Sequence, residues 1–198
     1  MNRDNNNYDK LIQIISPEAT ILKSWTLQGG ITAKSEVLQL NTVKNESKKV
    51  IVRQFDQKNV DKYVKKIIKE YKLLSILKNE DIPISKPLYY TTNLKLFEYP
   101  VIDLEYIEGP TDFEHIDRKN YIRKMVNCLA KIHTTNLDKY DISFLEEIKD
   151  GEVNEVNKKH YENEKNNNAM NRKVLLHGDY WSGNIIWNDN EISGIMLI

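Results

Sequence analysis

The segment Leu176-His177-Gly178-Asp179-Tyr180-Trp181-Ser182-Gly183-Asn184-Ile185-Ile186-Trp187 constrains this chain more than any other part of it. His177, Asp179 and Asn184 fall at the H-x-D-x-x-x-x-N spacing of a phosphoryl-transfer catalytic loop. The spacing has a chemical reason. Such a reaction needs a carboxylate to orient and accept the proton of an attacking hydroxyl, and a neutral oxygen ligand nearby for the magnesium ion that bridges the phosphates. Asp179 and Asn184 supply those two groups, and Gly178 and Gly183 allow the backbone to turn tightly around them. The apolar runs Val174 to Leu176 and Ile185 to Trp187 predict short buried strands holding the loop at both ends. A strand, turn and strand without chemistry would also accommodate an Asp-x-x-Ser-Gly-Asn turn, but the concurrence of these residues with apolar flanks weighs against it.

On these residues the segment resembles the catalytic loop of the aminoglycoside phosphotransferase and choline kinase group, small-molecule kinases with a protein-kinase-like fold. The resemblance implies an α+β, two-lobed architecture: an N-terminal antiparallel sheet plus helix over 1–102, a hinge over 103–109, and a mainly helical C-terminal lobe over 110–198. It also implies ATP or GTP as phosphate donor, Mg2+ as the metal and a small-molecule hydroxyl as acceptor, with nucleotide held between the lobes.

Leu27 to Leu40 alternates apolar and polar residues around Gly29-Gly30, the pattern of a hairpin whose turn could pass close over a phosphate. A plain turn explains the same glycine pair, because no G-x-G-x-x-G is present. Lys49-Val50-Ile51-Val52-Arg53-Gln54-Phe55 is a β-branched strand with one inward cation, which makes Arg53 the candidate clamp on the nucleotide phosphates. An edge-strand arginine facing water is the alternative. Val60 to Leu77 has the 3.6 period of an amphipathic helix, with Val60, Tyr63, Val64, Ile67, Ile68, Tyr71, Leu74 and Leu77 on its stripe. Glu70 interrupts that stripe, and a carboxylate there is costly unless a cation such as Arg53 meets it. It could instead reach solvent beside Lys66 or Lys69. Pro83 and Pro87 mark an extended segment, and Phe97 to Ile107 predicts an apolar strand running into Glu108-Gly109-Pro110. The resemblance implies that Glu105, Tyr106 and Ile107 offer backbone groups to the nucleotide base.

Tyr121 to His133 predicts a second amphipathic helix with Ile122, Met125, Val126, Leu129 and Ile132 buried. His133 reads as a C-terminal cap and His177 as a structural residue, with His115 and His160 exposed. From Asp138 to Arg172 the composition shifts to Glu, Lys and Asn, including Asn166-Asn167-Asn168, the signature of a surface insertion. Glu146, Glu147, Asp150, Glu152 and Glu155 form an acidic run that reads either as a solvated face or as an attractor of cationic acceptors.

Lys and Arg balance Asp and Glu at 29 each, so nothing points to nucleic acid. The lone Cys128 cannot form an internal disulfide and reads as a core residue, and one Cys with four scattered His gives no zinc spacing. Neither a bilayer-spanning run nor a signal-peptide core is present, so a cytoplasmic protein is expected. No feature specifies an oligomer. After Glu191-Ile192-Ser193-Gly194-Ile195 the resembled family carries a metal-binding aspartate where this sequence has Leu197. The expectation is a truncated or frameshifted kinase with impaired catalysis; the alternative is a catalytically inactive, pseudokinase-like module that binds nucleotide or a partner.

Overall fold

The computed structural model describes residues 3–28, 33–44, 46–55, 60–111, 117–147 and 173–197. Gly29 and Gly30, His115 and His160, Asp150, Glu152 and Glu155, and the Asn166–Asn168 run lie outside the described residues.

A helix, α1 (Arg3–Ile15), precedes three antiparallel strands, β1 (Thr20–Thr26), β2 (Lys34–Asn41) and β3 (Ser47–Gln54). Helix α2 (Val60–Leu77) follows, then β4 (Pro87–Thr91) and β5 (Val101–Glu105). These strands form one sheet in the order β1-β2-β3-β5-β4, with β5 antiparallel to both of its neighbours. The β1–β2 pair is the expected hairpin, although its first strand ends at Thr26, before the alternation that predicted it.

Alternation along β3 assigns the two faces of the sheet, because successive strand side chains point to opposite sides. Val50 and Val52 join Leu38, Leu40 and Val101 against Tyr8, Leu11 and Ile12 of α1. Ile51 and the β5 residues Ile102 and Leu104 belong instead to the core containing Tyr63, Ile67, Leu74 and Leu77 of α2. Each fully buried aliphatic side chain in these layers contributes on the order of 1.5–3 kcal/mol. One residue breaks the pattern. Asp103 pairs with Val52 on the α1 face, is fully buried, and neither carboxyl oxygen has a hydrogen-bond partner of ordinary geometry among the described residues.

Beyond the sheet lie α3 (Arg118–Thr134), a 3₁₀ turn at Ser182–Asn184, and a second antiparallel pair, β6 (Ile185–Asn188) with β7 (Glu191–Ile195). Asp117 caps α3, its carboxylate accepting from the Lys119 and Asn120 amides at 3.0 and 3.1 Å. The β6–β7 turn places Asp189 and Asn190 at φ 48° and 64°, the left-handed pair that a tight two-residue hairpin requires. The Ile195 amide then bonds the Pro83 carbonyl at 2.7 Å, tying β7 back to the segment leaving α2.

Two sequence expectations are corrected. Val174 to Leu176 is not a strand: only Leu175 is buried, while Val174 and Leu176 are 39% and 50% exposed because no neighbouring strand pairs with them. The buried stripe of α3 is also rotated from the predicted one. Cys128 and Ile132 are buried and Tyr121, Met125 and Leu129 pack beside them, whereas Ile122 and Val126 are 49% and 58% exposed.

Candidate active site

The loop after Leu175 is held from both sides. Tyr180 donates its hydroxyl to the Met125 carbonyl on α3 at 2.7 Å, and its ring meets His177 edge-on with centroids 5.3 Å apart. Burial pushes the Tyr180 phenol well above its ordinary pKa, with Cys128 adding to the effect. The Cys128 thiol is itself pushed up by burial, which suits the core residue expected rather than a nucleophile. Gly178 adopts φ +83°, a conformation that side chains disfavour, and this turns the chain between His177 and Asp179.

His177 is buried, and its Nδ1 accepts from the Asp179 amide at 3.3 Å. Burial lowers its pKa, with the Met196 backbone and Asp179 opposing, so the ring is neutral at physiological pH and orients the loop as expected of a structural residue. Asn184 is buried at the end of the 3₁₀ turn and donates Nδ2 to both the Asp179 carbonyl at 2.8 Å and Asp179 Oδ2 at 2.9 Å. Asp179 is otherwise exposed, and this side-chain contact uses its Oδ2 and not its Oδ1.

The second constellation lies between sheet and helix. β3 is central, so Arg53 is not an edge residue. Its Nη1 donates to Glu70 Oε1 at 2.5 Å, with the two side chains only 15% and 6% exposed. Glu70 therefore does not reach solvent beside the lysines. A half-buried arginine–carboxylate pair of this kind fixes the strand cation relative to the helix.

The segment after β5 is a tight joint. The Glu105 amide is taken by the Lys86 carbonyl at 2.8 Å, its own carbonyl accepts from Ser85 Oγ, and the Tyr106 amide bonds the Lys49 carbonyl at 3.3 Å. Ile107 makes no backbone hydrogen bond to another described residue. Lys49 donates to Glu108 at 2.5 Å and lies 5.9 and 5.6 Å from the Trp25 and Tyr106 ring centroids. This cluster was not foreseen, since Trp25 and Lys49 sit on separate strands and only the sheet register joins them. At Gly109, φ is +135° and a Cβ would lie 2.0 Å from the Trp187 carbonyl oxygen. The Trp187 amide in turn bonds the Pro110 carbonyl at 2.9 Å. The joint is thus built backbone to backbone on β6, the strand that leaves the Asp179–Asn184 loop.

Leu197, where a metal carboxylate was looked for, is buried among the residues of the α2 core. The preceding Met196 amide bonds the Asn184 carbonyl at 2.9 Å, so Leu197 stands next to the acid–amide pair. Among the described residues no three His, Cys, Asp or Glu side chains are grouped to hold a metal ion. No described helix is long and apolar enough to cross a membrane.

A twisted antiparallel sheet with a strand cation paired to a helix carboxylate, joined to an acid–amide loop by a short connection, defines a two-lobed, protein-kinase-like α+β fold. Residues 33–196 match the phosphotransferase enzyme family, and the chain belongs to it. Two solved structures share the fold. One is a candidate aminoglycoside phosphotransferase from Ralstonia eutropha JMP134, with TM-score 0.67 and 13% identity over 96% of this chain and 63% of the other. The second is the macrolide 2′-phosphotransferase MphH from Brachybacterium faecium, without ligand, with TM-score 0.58 and 14% identity over 87% of this chain and 64% of the other. The chain therefore spans less than two thirds of the length of either structure. No curated protein matches the sequence.

Proposed function

We propose that this chain carries the nucleotide-binding and catalytic-loop parts of a phosphotransferase that moves a phosphoryl group from ATP or GTP to a small-molecule hydroxyl. The observation that supports this reading most is the Asn184–Asp179 pair, which spends the amide nitrogen on Asp179 and so sets the acid beside a neutral amide. Asp179 Oδ1 would orient the acceptor hydroxyl and take its proton as the oxygen attacks phosphorus. Arg53, held by Glu70, would contact phosphate oxygens, and its planar fork suits two of them at once. At the joint, Glu105 and the Tyr106 amide are occupied by the fold, so the groups left to meet a base are the Tyr106 carbonyl and the backbone of Ile107.

Magnesium fits this donor set in a restricted way. It takes oxygen ligands and keeps waters and substrate phosphates around it, so the Asn184 amide oxygen would be its protein contact. When bound, the ion neutralises charge on the transferring phosphate. Leu197 offers nothing to it, and this buried leucine favours a second reading in which the chain binds nucleotide or a partner without turnover.

The test is thermal unfolding of the purified chain with ATP and with GTP, each with and without magnesium, beside Asp179→Asn. Binding to the folded state raises the midpoint by mass action. A magnesium-dependent rise retained in Asp179→Asn, with phosphoryl transfer lost, is the expected result. A nucleotide-independent midpoint overturns the nucleotide reading, and a nucleotide shift without transfer by the native chain establishes the non-catalytic one.

A further inference from the structure

Trp25 stands on β1, yet its ring meets that of Tyr106 at the joint, edge-on and with centroids 6.5 Å apart. β2 and β3 separate the two in the sheet, so the rings meet only by projecting over one shared face. We infer that Trp25 is a specificity-determining residue, resting on the nucleotide reading proposed for this chain: its indole forms the sheet-side wall of the base slot and selects a purine over a pyrimidine nucleotide.

The register fixes which face this is. Trp25 pairs with Val37, Val37 with Ile51 and Ile51 with Leu104, and residues directly opposite one another share a face. Along β3, Lys49, Ile51 and Arg53 alternate onto that same face. The Tyr106 amide is tied to the Lys49 carbonyl on one side of Ile51, and Arg53, assigned to the phosphates, lies on the other. A base read by the Tyr106 carbonyl and the Ile107 backbone, with its phosphates at Arg53, must therefore lie against the row that runs through Ile51. In that row Val37 and Leu104 are buried, Ile51 and Trp25 keep accessible surface, and Trp25 alone offers an aromatic face. Lys23 and Lys49 rise from the next row outward, where both pair with Gln39, and lie 5.5 and 5.9 Å from the indole centroid. Glu108 holds Lys49 in place, so these cations fix the ring at the outer end of the slot. A two-ring base covers more of an indole than a one-ring base does, and stacking of this kind is worth about tenfold or more in affinity.

The experiment is titration of the native chain with ATP, GTP and UTP in the presence of magnesium, read by calorimetry and by tryptophan fluorescence, beside Trp25→Leu and Trp25→Phe. The native chain should bind ATP or GTP more tightly than UTP, with saturable quenching. In Trp25→Leu the quenching should vanish although Trp181 and Trp187 remain, and purine affinity should fall about tenfold toward that for UTP. Trp25→Phe, which keeps a smaller aromatic face, should recover part of the affinity, and unaltered thermal midpoints in both variants would show that the fold is retained. Three results overturn the inference while leaving the nucleotide reading intact: UTP bound as tightly as the purine nucleotides, purine affinity unchanged in Trp25→Leu, or an equal loss for UTP in that variant. No binding of any nucleotide by the native chain would instead overturn the nucleotide reading, and the role of Trp25 with it.

Discussion

The five-stranded sheet and α3 use apolar residues differently. Both faces of the sheet are covered, one by α1 and one by α2, and Leu11, Ile12, Leu38, Ile67 and Ile102 retain essentially no exposure. α3 is covered on one face only, leaving Ile122 and Val126 in solvent, and Leu176 and Trp181 are similarly open along the loop it supports. The sheet can therefore hold its shape through its own layers, whereas the loop depends on a few tethers: Tyr180 to α3, Met196 to Asn184 and Trp187 to the joint. Cooperativity within the sheet and fragility at the tethers follow from that contrast.

The largest break should come at the joint. Gly109→Ala places a methyl group against the Trp187 carbonyl and strains a positive φ, at a cost of roughly 3–5 kcal/mol. Hydrogen exchange should show β6 and β7 amides losing protection while β2 and β3 keep theirs; equal loss in both would mean that the two regions unfold as one unit. Leu11→Ala removes a fully buried side chain between α1 and the sheet and should cost about 3 kcal/mol, read as a lower denaturant midpoint shared by all sheet amides.

A smaller effect of opposite sign is expected at Asp103. Burial pushes its carboxyl well above the usual range, and Lys48 and the Leu104 amide offset this only in part. A folded state that holds this proton more tightly than the unfolded state loses stability as pH rises above the unfolded value. Asp103→Asn should thus raise the melting temperature at pH 7, by the equivalent of roughly 1 kcal/mol, with the advantage vanishing below pH 3.8, the ordinary value for the residue. A gain that persists unchanged in acid would assign it to packing instead. The smallest change should be Ile122→Ser/Val126→Ser, within about 0.5 kcal/mol by denaturant titration, because those side chains already face water. A cost well above that would show that the exposed face of α3 is covered in solution.

What could be read from the residues depended on range. The limits of α2 and the Glu70 interruption were legible because helical period is local, and a carboxylate on an apolar stripe demands a partner, which the structure supplies in Arg53. The Asp179–Asn184 contact was legible from spacing because it spans only five residues. α1 was not foreseen: its Tyr8, Leu11 and Ile12 stripe lies beside an asparagine run that reads as polar coil. The buried side of α3 was misassigned because Ile122 and Val126 are as apolar as the residues that pack, and composition does not say which side another element covers. The Trp25, Lys49 and Tyr106 cluster and the Gly109 contact require register or tertiary placement that no local pattern encodes.

The meeting of Gly109 with the Trp187 carbonyl has a bearing on mutational drift. The separation between the joint and β6 rests on main-chain atoms, with Gly109 set against the Trp187 carbonyl and the Trp187 amide bonded to the Pro110 carbonyl. Substitutions in the cores on either side can alter volume and polarity without resetting that length, provided position 109 stays bare. The dimension that aligns the two segments is therefore most exposed to change at Gly109, where any side chain would meet the Trp187 carbonyl.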